Sequence, residues 1–524
     1  MLKSNFTVLC FLLCFSPSAI GDVTGRVFYS DSGAGVPHVA VSNGRDIAIT
    51  DEQGHYVLPE YGTFVYLTRT AHVDPETWFK TRSESVVDFE VDQPTNYPQS
   101  TFFIQISDTH VYDRKSDFIE FSSPSVPWFI PDFLVPWITI NLLEKNYGDD
   151  VVDKLKKALT SNGYSGELDA MSASEVYSAY AEAQYAEQGI FEPLDSQIRA
   201  ALREIDGLEP DFIINTGDLV LESNDGSPEA IDRWFRYYAE LTKDLPMKLY
   251  NTIGNNEIAG TGREDFTSRD KRFGKFFFRH YLGPTHFSFD RSGYHFIALD
   301  THSPDPQEDN PDYWNFGKMT PNIQQWFENE LKIHTDKTIV VLNHEPFHFD
   351  EGWPFENDQH VDDLGMFGKY GVDYVLSGHT HYKSAMMIDG VHHLTAGALS
   401  GMRWVLPASI HERGYRLFQG FEAELYSAWK QTGKRFIGLA EPQPADSSRL
   451  IIAAVDSSAA FKQVRLFAGE EELKVNVLSD YFFEIPIKGF KKREIKVVAK
   501  SNDDSEIEVK IHLRDFIALG ENLN

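Results

Sequence analysis

Short apolar runs rich in β-branched residues alternate with turn signals at the start of the chain, at 23–29, 36–41, 46–50 and 55–58, with Asp51-Glu52-Gln53-Gly54 as the turn between two of them. A run of brief strands broken by such turns predicts a small all-β sandwich over residues 22–95. From residue 101 the pattern changes, and apolar strand runs alternate with helical stretches. Six of these runs each stop at a polar cluster: 101–106 before Ser107-Asp108-Thr109-His110, 212–215 before Gly217-Asp218, 248–253 before Gly254-Asn255-Asn256-Glu257, 294–299 before Asp300-Thr301-His302, 338–342 before Asn343-His344, and 374–376 before Gly378-His379-Thr380-His381. Side chains just past the carboxyl ends of strands stand where layered α/β folds bind their ligands.

Between the first two clusters lies a long insertion, 111–211, with an aromatic stretch from Val126 to Trp137 and helical patterns near 150–160 and 173–188. Leaving the chain beside Asp108, it reads as a lid; Pro131, Pro136 and Asp132 exclude a membrane span. The aromatic side chains Trp128, Phe129, Phe133 and Trp137 fit a small core of that lid, or packing on a neighbouring domain, better than a substrate contact. After His381, strands at 391–395 and 397–404 complete the central domain, taken as 96–440, with further strands from 416 to 437. Glu441-Pro442-Gln443-Pro444 reads as a linker, and strand runs at 450–455, 463–467, 481–485, 495–499 and 507–513 predict a second β-sandwich over 446–524.

The chain of 524 residues is long enough for two or three domains. With 79 acidic against 48 basic residues its formal charge is −31, which repels nucleic-acid backbones and anionic membranes at long range. Residues 1–21 carry Lys3, an apolar run at 6–15 and the small residues Ser18-Ala19-Ile20-Gly21, the pattern of a cleaved export signal. A secreted or periplasmic protein is therefore expected. Cys10 and Cys14 both fall in that segment. Any metal in the mature chain must then be held by His, Asp, Glu or Asn.

Each cluster alone is common. In this order, and all at strand ends, the set resembles the calcineurin-like metallophosphoesterases, whose motifs run Asp-x-His, Gly-Asp, Gly-Asn-His, a lone His and Gly-His-x-His. The resemblance covers about residues 100–400. It implies a four-layer αββα sandwich flanked here by the two small all-β domains, the first of them similar to the carboxypeptidase-regulatory-like sandwich of bacterial members. It also implies two metal ions. Asp218 would bridge them, Asp108, His110 and His381 would complete one shell, and Asn255, His344 and His379 the other. Mixed oxygen and imidazole ligands suit zinc, manganese or iron. The implied reaction is hydrolysis of a small-molecule phosphomonoester or phosphodiester by a hydroxide between the ions, attacking phosphorus in line.

One position departs from the motif. Asn256 stands where the family has the histidine that binds phosphate and protonates the leaving group; an amide hydrogen-bonds to a phosphate oxygen but delivers no proton. Loss of a general acid costs about 10²–10⁴-fold in rate. Three readings stay open: substrates with good leaving groups, a substitute among His302, His348 and His411 with the first two favoured by their place after strand ends, or a catalytically impaired surface- or carbohydrate-binding protein. The retention of all seven ligand positions favours the enzyme.

Overall fold

The computed structural model describes residues 22–68, 78–93, 100–112, 194–303, 315–316, 319–333, 336–347, 367–400, 413–444, 448–487 and 494–513. The segment 1–21 read as an export signal, most of the 111–211 insertion, His348 and His411 lie outside the described residues. Two sheets face each other in the central domain. The first has five strands in the order Lys248–Asn251, Phe212–Asn215, Thr101–Ile106, Gly414–Phe421 and Glu424–Gln431. The second has six, ordered Phe287–Arg291, Tyr294–Ala298, Thr338–Leu342, Tyr374–Ser377, Val391–Thr395 and Ser384–Ile388. The strands that end in polar clusters run parallel to their cluster-bearing neighbours within each sheet, so their carboxyl ends emerge at one edge.

Alternation along each strand decides which side chains meet between the sheets. Phe103 points inward and stacks on Phe212 and Phe418 with ring centroids 4.8 and 4.7 Å away, and packs edge-on to Phe296 of the opposite sheet at 5.4 Å. Val340, Leu342, Leu376 and Leu394 complete this inner layer. The next residue along, Ile104, faces the other way, against the helices Leu194–Asp206 and Pro228–Thr242. The latter starts where Ser227 accepts a hydrogen bond from the Ala230 amide and Pro228 takes the first turn, and it buries Ala230, Ile231, Trp234, Phe235 and Tyr238 on one face. On the far side, the Pro321–Ile333 helix lays Ile323, Trp326, Phe327 and Leu331 on the second sheet. The result is the αββα sandwich expected from the motif series.

Both flanking sandwiches dock on this core. In the N-terminal one, sheets of three and four strands enclose Val27, Val41, Val65 and Phe89. The sequence pattern at 36–41 and 46–50 becomes shorter strands, Ala40–Ser42 and Ile47–Ile49. Trp78 packs on Phe287 at 4.8 Å, Ser288 Oγ donates to the Thr68 carbonyl at 2.9 Å, and His286 Nε2 lies 2.7 Å from the Gly44 carbonyl. The C-terminal sandwich stacks Tyr481 on Phe102 at 4.8 Å, with the Tyr481 hydroxyl donating to the Leu208 carbonyl at 2.9 Å. Its first strand is Phe436–Leu439, antiparallel to Arg449–Val455. The segment read from sequence as a linker is therefore a turn between two strands of one sheet, and the C-terminal sandwich begins before residue 440. Gln443 anchors that turn, donating to the Ala440 and Ile451 carbonyls and accepting from the Ile451 amide. Residues 397–400 form no strand. No helix among the described residues is long and apolar enough to cross a membrane.

A buried charge network lies under the Pro321–Ile333 helix. His295 Nδ1 sits 2.7 Å from Asp290, its Nε2 3.5 Å from Glu330, and Lys337 lies 3.3 Å from Asp290. Burial alone would lower the His295 pKa, but the two carboxylates raise it above the ordinary value. A histidine raised in the folded state contributes stability that is complete below its unfolded pKa and lost as pH rises through the folded one. Melting temperature should thus fall on the alkaline side. The substitution His295→Gln, which leaves two buried carboxylates with less compensation, should cost about 3–5 kcal/mol in mildly acidic solution and less at high pH. Melts of both proteins from about pH 5 to about pH 9 check this; parallel curves would remove His295 from the role.

Candidate metal centre

The cluster-bearing loops meet across the carboxyl edges of the two sheets. Past the paired strands Thr101–Ile106 and Phe212–Asn215, the chains stay joined: the Asp108 amide donates to the Gly217 carbonyl, that of His110 to Asp218, and that of Val111 to Leu219. The side chains of this edge depend on left-handed backbone. Asp108, His110, Asp218, His379 and His381 have φ of 54°, 45°, 53°, 66° and 59°, a region that costs non-glycine residues energy and gathers at functional sites. Glycines allow the close approach. A Cβ on Gly217 would stand 2.6 Å from His344 Nδ1, and one on Gly378 would stand 1.8 Å from Ser107 Oγ.

Six of the seven predicted ligands form two trios, Asp108 with His110 and His381, and Asp218 with His344 and His379. In the first, His110 Nε2 and His381 Nε2 face each other at 3.1 Å, and Asp108 Oδ1 lies 3.3 Å from the latter. In the second, His344 Nε2 lies 3.2 Å from Asp218 Oδ1 and 3.3 Å from His379 Nδ1. The seventh, Asn255, brings its Oδ1 to 3.2 Å from His344 Nε2. Asp218 belongs to both groups, because its other oxygen, Oδ2, is 3.9 Å from His110 Nε2. The His379 amide donates to Asp108 Oδ2 at 3.1 Å, tying the trios together.

Electrostatics hold Asp218, Asp108 and His379 in the form a cation needs. Burial would raise Asp218, but His344, then His110 and His379, keep it well below the usual carboxylate range. Asp108 is lowered in the same way, mainly by His381 against its burial. Burial and then His344 lower His379 and keep its imidazole neutral. His344 itself is raised despite burial, chiefly by Asp218. Its Nδ1 lies 2.7 Å from the Thr216 carbonyl, the contact that places a proton on Nδ1 and turns the Nε2 lone pair inward. Imidazole nitrogens converging on one another beside ionised carboxylates fit a cation in each trio. Among the described residues, Asp108 Oδ1 is buried with no well-formed hydrogen bond, which fits the same conclusion.

Two residues not singled out in the sequence support the centre. Glu257 Oε2 accepts from the Gly254 and Asp218 amides at 2.7 and 3.0 Å, and Oε1 from the Leu219 and Val220 amides at 2.8 and 3.1 Å. Burial and the Asp218 charge push its pKa up to about 8, yet four amides leave neither oxygen room for a proton, so the loop is built around the carboxylate. Its place in Gly254-Asn255-Asn256-Glu257, a carboxylate closing a turn, was the available signal. The other is Glu345, whose Oε1 lies 2.5 Å from His302 Nε2. Burial opposes, but His302 and then His344 lower Glu345 to about 2. Its position directly after His344 was the clue.

The predicted catalytic residues separate. His302 is buried, bonded to Glu345, with its ring 6.0 Å from that of His344. Asn256 is also fully buried, its amide engaged by Asn255 and His110 at 3.0 Å each. In the three-residue turn Asn255–Glu257, the Asn256 side chain is turned toward Asn255 and His110. His348 lies outside the described residues.

The calcineurin-like phosphoesterase profile matches residues 103–383. Similar solved structures include a dimetal phosphatase from Danio rerio (12% identity, 63% of this chain and 96% of that one, TM-score 0.38), GAP50 of Plasmodium (12%, 64% and 85%, 0.31) and zinc-complexed Vps29 from Entamoeba histolytica (11%, 64% and 94%, 0.23). A search of curated proteins finds no match.

Glu257→Gln turns an amide N–H₂ toward backbone N–H donors and should cost about 1–3 kcal/mol for each donor left unsatisfied. Bound metal per chain should fall with it, since Asp218 loses its backbone support. Thermal melts and elemental analysis of the purified variant check both; full metal content in a protein of unchanged stability would contradict this account of Glu257.

Proposed function

The chain belongs to the calcineurin-like phosphoesterase family, and on that premise we propose that it hydrolyses small-molecule phosphoesters at a two-metal centre. The observation that carries the reading is the double membership of Asp218, one oxygen in each trio, the arrangement a bridging carboxylate requires. Asp108, His110 and His381 would hold one ion, and Asn255, His344 and His379 the other; the donor set favours zinc, manganese or iron. Such ions supply Lewis acidity, neutralising phosphoryl charge and making water acidic enough to serve as nucleophile at neutral pH.

The protein's own residues do the positioning. Glu257 fixes the loop that carries Asp218, and the Thr216 carbonyl fixes the His344 tautomer. His302 and Glu345 are paired beside His344 and so brace that ligand's surroundings. Asn256 offers the leaving group no proton. Substrates whose alcohol departs unprotonated, such as aryl esters or anhydrides, are favoured over alkyl esters. An export signal at residues 1–21 would put this chemistry outside the cytoplasm.

With zinc or manganese supplied, p-nitrophenyl phosphate or its bis ester should be turned over, and comparison of the two decides between monoesterase and diesterase. Rates across a series of aryl esters should fall steeply as the leaving phenol becomes more basic; a flat series would reveal a proton donor. No bound metal together with no turnover of either ester would defeat the enzyme reading in favour of a binding protein. Asp218→Asn should lose two-metal occupancy, and a variant that still retains two ions by elemental analysis would take Asp218 out of the bridging position.

A further inference from the structure

The buried amide of Asn256 joins a residue of one trio to a residue of the other. Asn255 Oδ1 lies 3.2 Å from His344 Nε2, Asn255 Nδ2 donates to Asn256 Oδ1 at 3.0 Å, and Asn256 Nδ2 lies 3.0 Å from His110 Nδ1. A carboxamide has one donating and one accepting end, so two amides in series have a single direction. In the direction given, the chain ends with an N–H aimed at His110 Nδ1, which must accept. His110 turns its Nε2 toward His381, Asp108 and Asp218. A cation held by that nitrogen leaves the proton of a neutral imidazole on Nδ1, where it needs an acceptor.

Turning Asn256 over supplies the acceptor, but its Nδ2 then faces Asn255, which must turn as well. That second turn replaces Asn255 Oδ1 with an N–H₂ group where the other trio needs an oxygen. Either orientation serves one trio and opposes the other. Asn256 is fully buried, and its backbone is held on both sides: its main-chain N–H donates to Asp218 Oδ1 at 3.0 Å, and its main-chain carbonyl accepts from the Ser223 amide at 2.9 Å.

We propose that Asn256 is a positioning residue that sets the two metal sites in competition, so that an ion on the Asp108–His110–His381 trio weakens binding by the Asp218–Asn255–His344–His379 group through the direction of the Asn255–Asn256 amide chain. The inference rests on the two-metal reading and concerns binding alone.

Titration calorimetry of the metal-free protein with manganese, with bound ions counted by elemental analysis, tests it. The wild type should bind in two steps. Repulsion between two cations persists in every variant, so the readout is the ratio of the two stepwise constants. In Asn256→Ala the chain is cut without added charge, and the ratio should narrow by about tenfold, the worth of one well-made hydrogen bond. Asn256→Asp presents oxygen to both His110 and Asn255 and should narrow it at least as much; it also keeps the test open if the alanine variant fails to fold. A ratio unchanged in Asn256→Ala, or in Asn256→Asp should that alone fold, overturns the coupling while leaving a two-metal protein. A wild type that binds no manganese or zinc overturns the two-metal reading itself.

Discussion

The carboxylate of Asp218 is where the structure's constraints converge. It is almost wholly buried and still ionised, with one oxygen 3.2 Å from His344 and the other 3.9 Å from His110. A buried charge of this kind is tolerated only where partners surround it. The protein supplies imidazoles on both sides, an amide from Asn256 and, one layer out, the Glu257 carboxylate that gathers the loop's own N–H groups. Asp108 is buried beside it and is likewise held below the usual carboxylate range, so two carboxylates share one pocket with the converging imidazoles. Cations fit that arrangement.

Such a site needs a platform that does not relax. The two sheets provide it through the aromatic stack around Phe103, which pins the strands carrying Asp108 and Asp218 to each other and to the opposing sheet. Five left-handed residues at the rim would relax toward ordinary backbone in a looser frame. They persist because the loops continue strand-like pairing beyond the strand ends and because glycine at 217 and 378 lets neighbouring loops touch. The strain therefore belongs to the same rigidity that aims the ligands. Closure of the outer faces by helices and by the C-terminal sandwich, through Tyr481 on Phe102, keeps water from the backs of these strands.

How much of this was legible follows from the range of each interaction. Strand ends followed by Asp, His or Asn are local signals, and every ligand position read from them in the described residues lies at the centre. The two-layer core was legible as well, since short apolar runs separated by helices admit few arrangements. Glu257 and Glu345 were hidden for a different reason: each acts on groups far away in sequence, Glu257 on amides 37 to 39 positions earlier and Glu345 on His302, 43 positions earlier. The strand Phe436–Leu439 was misplaced because its partner lies beyond a proline-rich turn that has the composition of a linker. Asn256 was the subtlest case. Its chemistry is that of an amide without a proton to give, but its direction depends on a turn of three residues.

That direction changes what the missing histidine means. An asparagine facing the substrate would be a weakened catalyst, and the site would look like a family centre in decline. An asparagine facing inward, bonded to Asn255 and His110, belongs instead to the scaffold of the ligands. On the proposed reading that position donates no proton, and the demand passes to the substrate: an ester whose leaving group is already stable as an anion needs no acid. The same inward turn gives the amide authority over metal binding, because a group with one donor end and one acceptor end must choose which neighbour to satisfy. On the two proposals together, rate and metal occupancy are linked through one side chain, which is bonded to Asn255 and His110.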